Sequence, residues 1–146
     1  MGASVPRVIR LLAVLLVLAL GGACAHTKKT ADLQSLRPVV EGFFQRVRWK
    51  DYRFATRYIV PERRQDFERA RREHQDERDL AITDYEIEDV QLAEDGQRAT
   101  VITHMQWMRL PSVSEQSSTV TSEFVYRDGV WLLERQLGGP FDGELP

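Results

Sequence analysis

The chain has 146 residues, of which 42% are hydrophobic and 29% charged, and its formal net charge is −2 at pH 7. This slightly acidic balance argues against nucleic acid as a partner, because phosphate binding needs a basic surface. One cysteine and three histidines exclude a disulfide framework and show no spacing typical of a metal site. We therefore expect one domain held by its own hydrophobic core, with no metal and no cofactor.

The first 23 residues predict an export signal that is removed from the mature protein. Arg7 and Arg10 provide a short positive region, and residues 11–20 are all apolar. This run is too short to cross a bilayer as a helix, which needs about 20 residues. A basic start, a short apolar run and small residues at its end are typical of a secretory signal peptide.

This signal ends at Cys24, which follows the small residues 21–23. The Leu-Gly-Gly-Ala-Cys segment resembles the lipobox of bacterial lipoproteins. The resemblance implies that the Cys24 thiol is alkylated by a diacylglycerol, that the chain is cut before it, and that the new amino group is acylated. The alternative is ordinary cleavage after Ala25, which would leave a soluble periplasmic or secreted protein without cysteine.

Lipidation at Cys24 would divide the chain into a signal peptide over 1–23, a lipidated cysteine and tether over 24–31, and a single domain over 32–146. Several acyl chains would hold this domain durably on a membrane. The residue after the cysteine is alanine rather than aspartate. By the same resemblance, we expect an outer-membrane location that faces the periplasm.

Residues 33–61 carry the patterns of two helices. Apolar residues at the spacing i, i+3, i+4, i+7 form one helical stripe, made of Val40, Phe43, Phe44 and Val47. Pro38 either starts this helix or interrupts one that begins near Leu33, and Gly42 permits close packing against a neighbour. Asp51 is expected to cap a second short helix, which Pro61 ends.

Residues 62–79 form a strongly charged segment, with six arginines and seven acids among 18 residues. Phe67 and Ala70 are its only apolar residues, three positions apart. Charges of both signs at i, i+4 spacing are typical of a solvated helix. We therefore predict a surface helix that is pinned by a narrow apolar stripe or is partly frayed, with His74 exposed to water. A charged docking helix is the functional alternative.

From Leu80 onward the apolar residues alternate with a period of two, which predicts β-strands. The phase shifts between Ile87 and Val90, which indicates a β-bulge near Glu88 and Asp89. Turns are predicted at 94–96 and 128–129. In the last three strands, the residues expected to share one face are Ala99, Val101, Thr103, Met105, Trp107, Val120, Ser122, Phe124, Tyr126, Trp131, Leu133 and Leu137.

Two segments resemble the nuclear transport factor 2-like (cystatin-like) domains. Residues 43–55, FFQRVRWKDYRFA, resemble the opening helix pair of that superfamily, and residues 124–133, FVYRDGVWLL, resemble its closing hairpin. The resemblance implies an α+β fold in which two or three N-terminal helices pack on a curved antiparallel sheet of about four strands. It also implies a cone-like shape with a pocket between helix and sheet. The superfamily includes isomerases, dehydratases and small-molecule binders, so the fold leaves the activity open.

The candidate residues for lining such a pocket are Tyr52, Tyr58, Thr103, His104, Met105 and Trp107. His104 is the obvious general base, but it shares its strand face with Gln106 rather than with the more apolar Met105. A strand histidine that faces solvent is the alternative. No two of these residues form an acid–base pair that the sequence supports, so we assign no catalytic residue.

These observations favour a membrane-anchored envelope lipoprotein that is not an enzyme. We expect it to bind a partner protein or a small apolar ligand through its cone-shaped domain, since no convergent set of polar residues is evident. The alternative is a small lyase, isomerase or hydrolase that uses the cone pocket. The partners that we expect for the lipoprotein are the membrane, through the lipid anchor, and an envelope protein or a small apolar ligand. We do not expect it to bind nucleic acid.

Overall fold

A computed structural model describes residues 33–145. The predicted signal peptide, Cys24 and the tether that ends at residue 31 lie outside these described residues. Within residues 33–145, no helix is both long enough and apolar enough to cross a membrane.

The described chain is an α+β fold, as predicted, with several helices and an open four-stranded antiparallel sheet. The helices are α1 Leu33–Arg48, α2 Tyr52–Ala55, α3 Arg64–Glu73 and α4 Asp76–Asp79, with 3-10 turns at Thr56–Tyr58, Pro61–Arg63 and Gly139–Phe141. The strands are β1 Leu80–Leu92, β2 Arg98–Arg109, β3 Gln116–Arg127 and β4 Val130–Leu137. They lie in the order β1-β2-β3-β4, so β1 is an edge strand.

The predicted stripe of α1 is buried, and it forms the centre of the core. Val40, Phe43, Phe44 and Val47 are each no more than 1% exposed. The ring of Phe44 stacks on Tyr85 of β1 at a centroid distance of 5.3 Å. Pro38 lies inside α1, so it neither starts nor interrupts the helix as the sequence suggested.

The close approach predicted at Gly42 is confirmed. A Cβ atom at this position would lie 2.5 Å from the Tyr58 hydroxyl oxygen and 2.7 Å from Cζ of the same ring. The α1 backbone therefore packs directly against the 3-10 turn that carries Tyr58. Asp51 precedes α2 without a side-chain capping bond. The capping prediction is wrong, because its carboxylate instead accepts a 2.7 Å hydrogen bond from Arg46.

The bulge predicted near Glu88 is confirmed by a shift in the β1–β2 register between Ile87 and Asp89. A second shift, between Ile82 and Asp84, was not predicted. In the β3–β4 pairing, the register shifts between Glu123 and Phe124 of β3. After Leu133, the side chains of β4 therefore lie on the face opposite to the one that simple alternation predicts.

This reversal overturns one prediction for β4. Gln136 is 1% exposed and Leu137 is 40% exposed, so Leu137 does not share the buried face of Trp131 and Leu133. The amide of Gln136 donates to Ser122 at 2.9 Å, which satisfies the buried polar group. Tyr126 and Trp107 are half-buried at the margin of the core.

The charged segment 62–79 is not one solvated helix. A 3-10 turn leads into α3, and α3 and α4 are separated by Gln75 in the left-handed conformation, with φ 54°. Phe67 is fully buried as predicted, but so are Arg71 and Asp76. The last residues of the described chain close the core over this segment, because Phe141 and Leu145 are both 0% exposed.

Candidate functional site

The residues predicted to line a pocket lie on both faces of β2. Thr103 and Met105 are buried, 0% and 1% exposed, on the face that packs against α1. His104 lies between them in sequence, so the pleat turns it to the opposite face. Since this face carries the half-exposed members of β2, His104 cannot share a pocket with Thr103 and Met105.

The remaining candidates lie in three different places. Tyr52 is 4% exposed and packs edge-on against Phe67 and Phe141 at centroid distances of 6.4 and 6.5 Å. Burial raises the pKa of Tyr52 to about 12, and its hydroxyl has no hydrogen-bond partner among the described residues. Tyr58 packs on Gly42. Trp107 donates from Nε1 to the Ser118 hydroxyl at 3.4 Å.

His104 contacts a serine on the open face of the sheet. Its Nε2 lies 2.9 Å from the Ser117 hydroxyl of β3, and Glu86 of β1 is its direct neighbour in the β1–β2 register. A serine, a histidine and a carboxylate on adjacent strands are the groups of a nucleophile–base site. The Ser117–His104 contact is exposed, whereas such sites act where water is excluded.

A buried ionic cluster is the feature that the sequence analysis missed. Arg71 of α3 and Asp76 of α4 are 3% and 0% exposed, and Nε of Arg71 lies 2.9 Å from Oδ2 of Asp76. Arg109, at the end of β2, pairs with the other carboxylate oxygen of Asp76. Glu144 pairs with Arg71 and lies 3.0 Å from Nδ1 of His74.

The Arg71 guanidinium is surrounded by aromatic rings. Its Cζ atom lies 4.0 Å from the ring centroid of Phe141 and 4.7 Å from that of Phe67. Burial lowers the pKa of Arg71 to about 10, against the opposing effect of Asp76. The positive charges of the two arginines are balanced by the negative charges of Asp76 and Glu144. We therefore interpret the cluster as a structural joint between α3, α4, β2 and the C-terminal segment.

One signal of this joint was present in the sequence. Arg71 follows Phe67 by four residues, which places both on the same face of α3. His74, predicted to be solvated, keeps half of its side chain exposed while it contacts Glu144. The prediction that His74 is exposed is therefore confirmed, although its ring also contacts the half-buried ionic pair partner Glu144.

An apolar cleft lies between the beginning of α1 and the edge strand β1. It has a volume of about 380 Å³, and its apolar lining consists of Leu33, Leu36, Val40, Ile87 and Val90. Leu33 and Val90 are 40% and 38% exposed. Both α1 and the inner face of β1 therefore present apolar side chains to solvent at this point, which is typical of a binding surface.

The rim of the cleft is polar and electrically balanced. Arg37 and Glu41, one helical turn apart on α1, form a 2.8 Å ion pair with both side chains largely exposed. Among residues 33–145, the lining contains no other charged side chain. The cleft is thus suited to an uncharged apolar group rather than to a charged ligand.

No protein family and no curated protein matches the sequence. The fold resembles the solution structure of a SEC-C motif containing protein from Rhodopseudomonas palustris. That comparison has a TM-score of 0.54 at 20% identity, and it covers 69% of this chain and 76% of the other. At this identity the likeness concerns the fold alone.

The site that the geometry favours is therefore the apolar cleft. It combines a concave shape, exposed apolar side chains and a neutral rim, whereas the ionic cluster is buried and the His104 contact lies on an open surface. Apart from the paired Arg37 and Glu41, the described lining is apolar, which is typical of sites that bind by shape and apolar contact.

Proposed function

We propose that the mature protein is a lipid-anchored envelope protein without catalytic activity, and that it binds apolar groups at the cleft between α1 and β1. In this proposal the domain is the cone-like helix-and-sheet fold of nuclear transport factor 2-like lipoproteins, attached through Cys24 to the outer membrane and facing the periplasm. The observation that carries the binding function is the cleft itself, with Leu33 and Val90 exposed across from each other.

Because buried side chains occupy the interior of the domain, we favour the cleft at the surface, rather than an internal pocket, as the binding site. Phe43, Phe44, Phe67, Phe124 and Phe141 are all at most 1% exposed. They occupy the helix–sheet interface together with Met105 and Trp131, where the resemblance placed a pocket. A small apolar ligand or an apolar segment of a partner protein would therefore contact the cleft rather than the centre of the cone.

Anchoring is tested by metabolic labelling with an alkyne-bearing fatty-acid analogue. The wild-type chain should carry the label and fractionate with membranes, because Cys24 is the only thiol of the chain. The Cys24→Ala variant should carry none. Label on Cys24→Ala, or an intact wild-type protein free in the periplasm, would contradict the anchor.

Cleft binding is tested with the apolar dye N-phenyl-1-naphthylamine, whose fluorescence rises in apolar surroundings. The wild-type protein should enhance the fluorescence, and Val90→Asp should abolish the enhancement because it places a charge in the cleft. Val130→Asp is the matched control, since Val130 is 53% exposed on β4 and lies outside the cleft lining. Equal enhancement by both variants would contradict the proposal.

A hydrolase is the second candidate function, and the Ser117–His104 contact is the observation in its favour. Purified protein should not hydrolyse p-nitrophenyl acetate faster than Ser117→Ala or His104→Gln if the proposed function is correct. Turnover that both substitutions abolish, with the unfolding midpoint unchanged, would make the catalytic alternative the better one.

A further inference from the structure

We propose that the apolar cleft holds an acyl chain of the protein's own lipid anchor. This inference rests on the proposed function, because it requires both lipidation at Cys24 and an apolar site at the cleft. It assigns to that site one occupant, a saturated hydrocarbon chain in cis.

The position of the cleft along the chain is the first argument. Leu33, which lines the cleft, is the first residue of α1, and only eight residues separate it from Cys24. Since an extended chain advances at most about 3.6 Å per residue, the anchor lies within about 30 Å of the cleft. An acyl chain on Cys24 can thus reach the cleft from the end of the domain to which the tether connects.

The contrast with the other end of α1 is the second argument. Trp49, just beyond that end, is 75% exposed, but at about 1.5 Å per helical residue it lies more than 20 Å further from the tether. Trp49 lies on the turn after the helix, whereas the residues near Leu33 form a concave surface with β1. The concave apolar site therefore lies at the anchored end of α1.

The charges on β1 and at the rim of the cleft disfavour two other occupants, a second copy of this chain and an ionic headgroup. Asp84, Glu86 and Asp89 of β1 are exposed, and the two bulges of β1 interrupt its edge. Acidic side chains and bulges discourage pairing with a second strand, which disfavours a second copy of this chain. The neutral Arg37–Glu41 rim offers no unpaired charge to an ionic headgroup, so the compatible part of a lipid is its hydrocarbon tail.

The cleft is also open enough to receive a chain without unfolding of α1. Leu33 and Val90 of its lining are 40% and 38% exposed, so a flexible hydrocarbon can cover them directly. The expected consequence is that one acyl chain shields this surface while the remaining chains stay in the bilayer, which positions the domain close to the membrane by its α1 end.

The test uses the full-length chain expressed in cells that are fed a diazirine-bearing palmitate analogue. After irradiation and trypsin digestion, the cross-linked acyl group should be found on the peptide over residues 79–98, which contains Ile87 and Val90. Val90→Asp and Leu33→Asp should each reduce this cross-link at least tenfold. Val130→Asp should leave it unchanged, and thermal unfolding midpoints should show that all three variants fold.

Light and isotopically heavy wild-type chains are coexpressed to decide the source of the acyl chain. Cross-links that join the 79–98 peptide to the acylated Cys24 peptide of the same isotope support the chain's own anchor. Cross-links that join light and heavy peptides in equal yield would overturn that assignment in favour of a second copy, and cross-links to lipid without the Cys24 peptide would overturn it in favour of bilayer lipid. An absence of cross-links at 79–98 together with normal dye binding would overturn this inference alone, whereas an absence of dye binding would contradict the proposed function.

Discussion

Asp76 links two arginines in the interior of the molecule. Each of its carboxylate oxygens lies beside one guanidinium, that of Arg71 or that of Arg109. Burying charges is costly, and an ion pair of this kind is tolerated only because each charge has its partner. A change at Asp76 therefore removes two ion pairs at once: Arg109 loses its carboxylate partner, while Arg71 keeps its pair with Glu144, so the cluster gains an uncompensated positive charge.

We expect Asp76→Asn to destabilise the protein by about 3–5 kcal/mol, because breaking a buried pair leaves an uncompensated buried charge. The urea midpoint at pH 7 measures this effect. Asp66→Asn is the matched control: Asp66 pairs with Arg69 on the exposed side of α3, and exposed pairs contribute less than about 1 kcal/mol. Similar midpoints for the two variants would show that the joint contributes no net stability.

Helix α1 is positioned by a close contact as well as by its apolar stripe. Glycine in a helix costs about 1 kcal/mol relative to alanine, so local propensity favours alanine at position 42. The Tyr58 ring occupies the space where a Cβ atom would lie. Packing between α1 and the 3-10 turn over Thr56–Tyr58 therefore opposes the intrinsic preference of the helix.

We expect Gly42→Ala to lower the free energy of unfolding by about 1–3 kcal/mol, as overpacked sites do. In a Tyr58→Leu background the same substitution should become neutral or stabilising, because the ring that blocks the Cβ atom is gone. Gln45→Ala, on the exposed side of α1, should change the free energy by less than about 0.5 kcal/mol. A stabilising Gly42→Ala in the wild-type background would refute the contact.

The ends of the described chain meet different parts of the molecule. The C-terminal segment crosses back over α3, where Phe141 packs at 5.6 Å from Phe67 and edge-on to it, and Leu145 pairs with Gln136 of β4. This segment therefore completes the hydrophobic core and holds Glu144 beside Arg71. The molecule needs its last residues to close the core, whereas its α1 end leaves the apolar cleft open.

We expect Phe141→Ala to destabilise the protein by about 3–5 kcal/mol, as truncation of a fully buried phenylalanine does. Leu137→Ala should cost less than about 1 kcal/mol, although it lies only four residues earlier, because Leu137 is 40% exposed. Chemical denaturation of the two variants side by side measures the difference. A larger loss for Leu137→Ala would restore the simple alternation that the sequence suggested for β4.

Features of short range were readable from the sequence of this protein, and features of long range were not. The α1 stripe, the bulge at Glu88 and the face shared by Val101 and Met105 follow from local side-chain periods of 3.6 and 2 residues. The export signal and Cys24 are likewise local patterns, and their assignment stays a prediction. The resemblance at residues 43–55 and 124–133 pointed to the class of fold, which the α+β architecture matches.

Tertiary structure alone decided where the charged and concave features lie. Asp76 is buried beside Arg109, which lies 33 positions later in the sequence. The spacing of apolar residues within one helix contains no information about such a distant partner. The phase of β4 after Leu133 depends on its register with β3. The cleft exists because the beginning of α1 lies over the inner face of β1, a relation between two elements that neither sequence pattern contains.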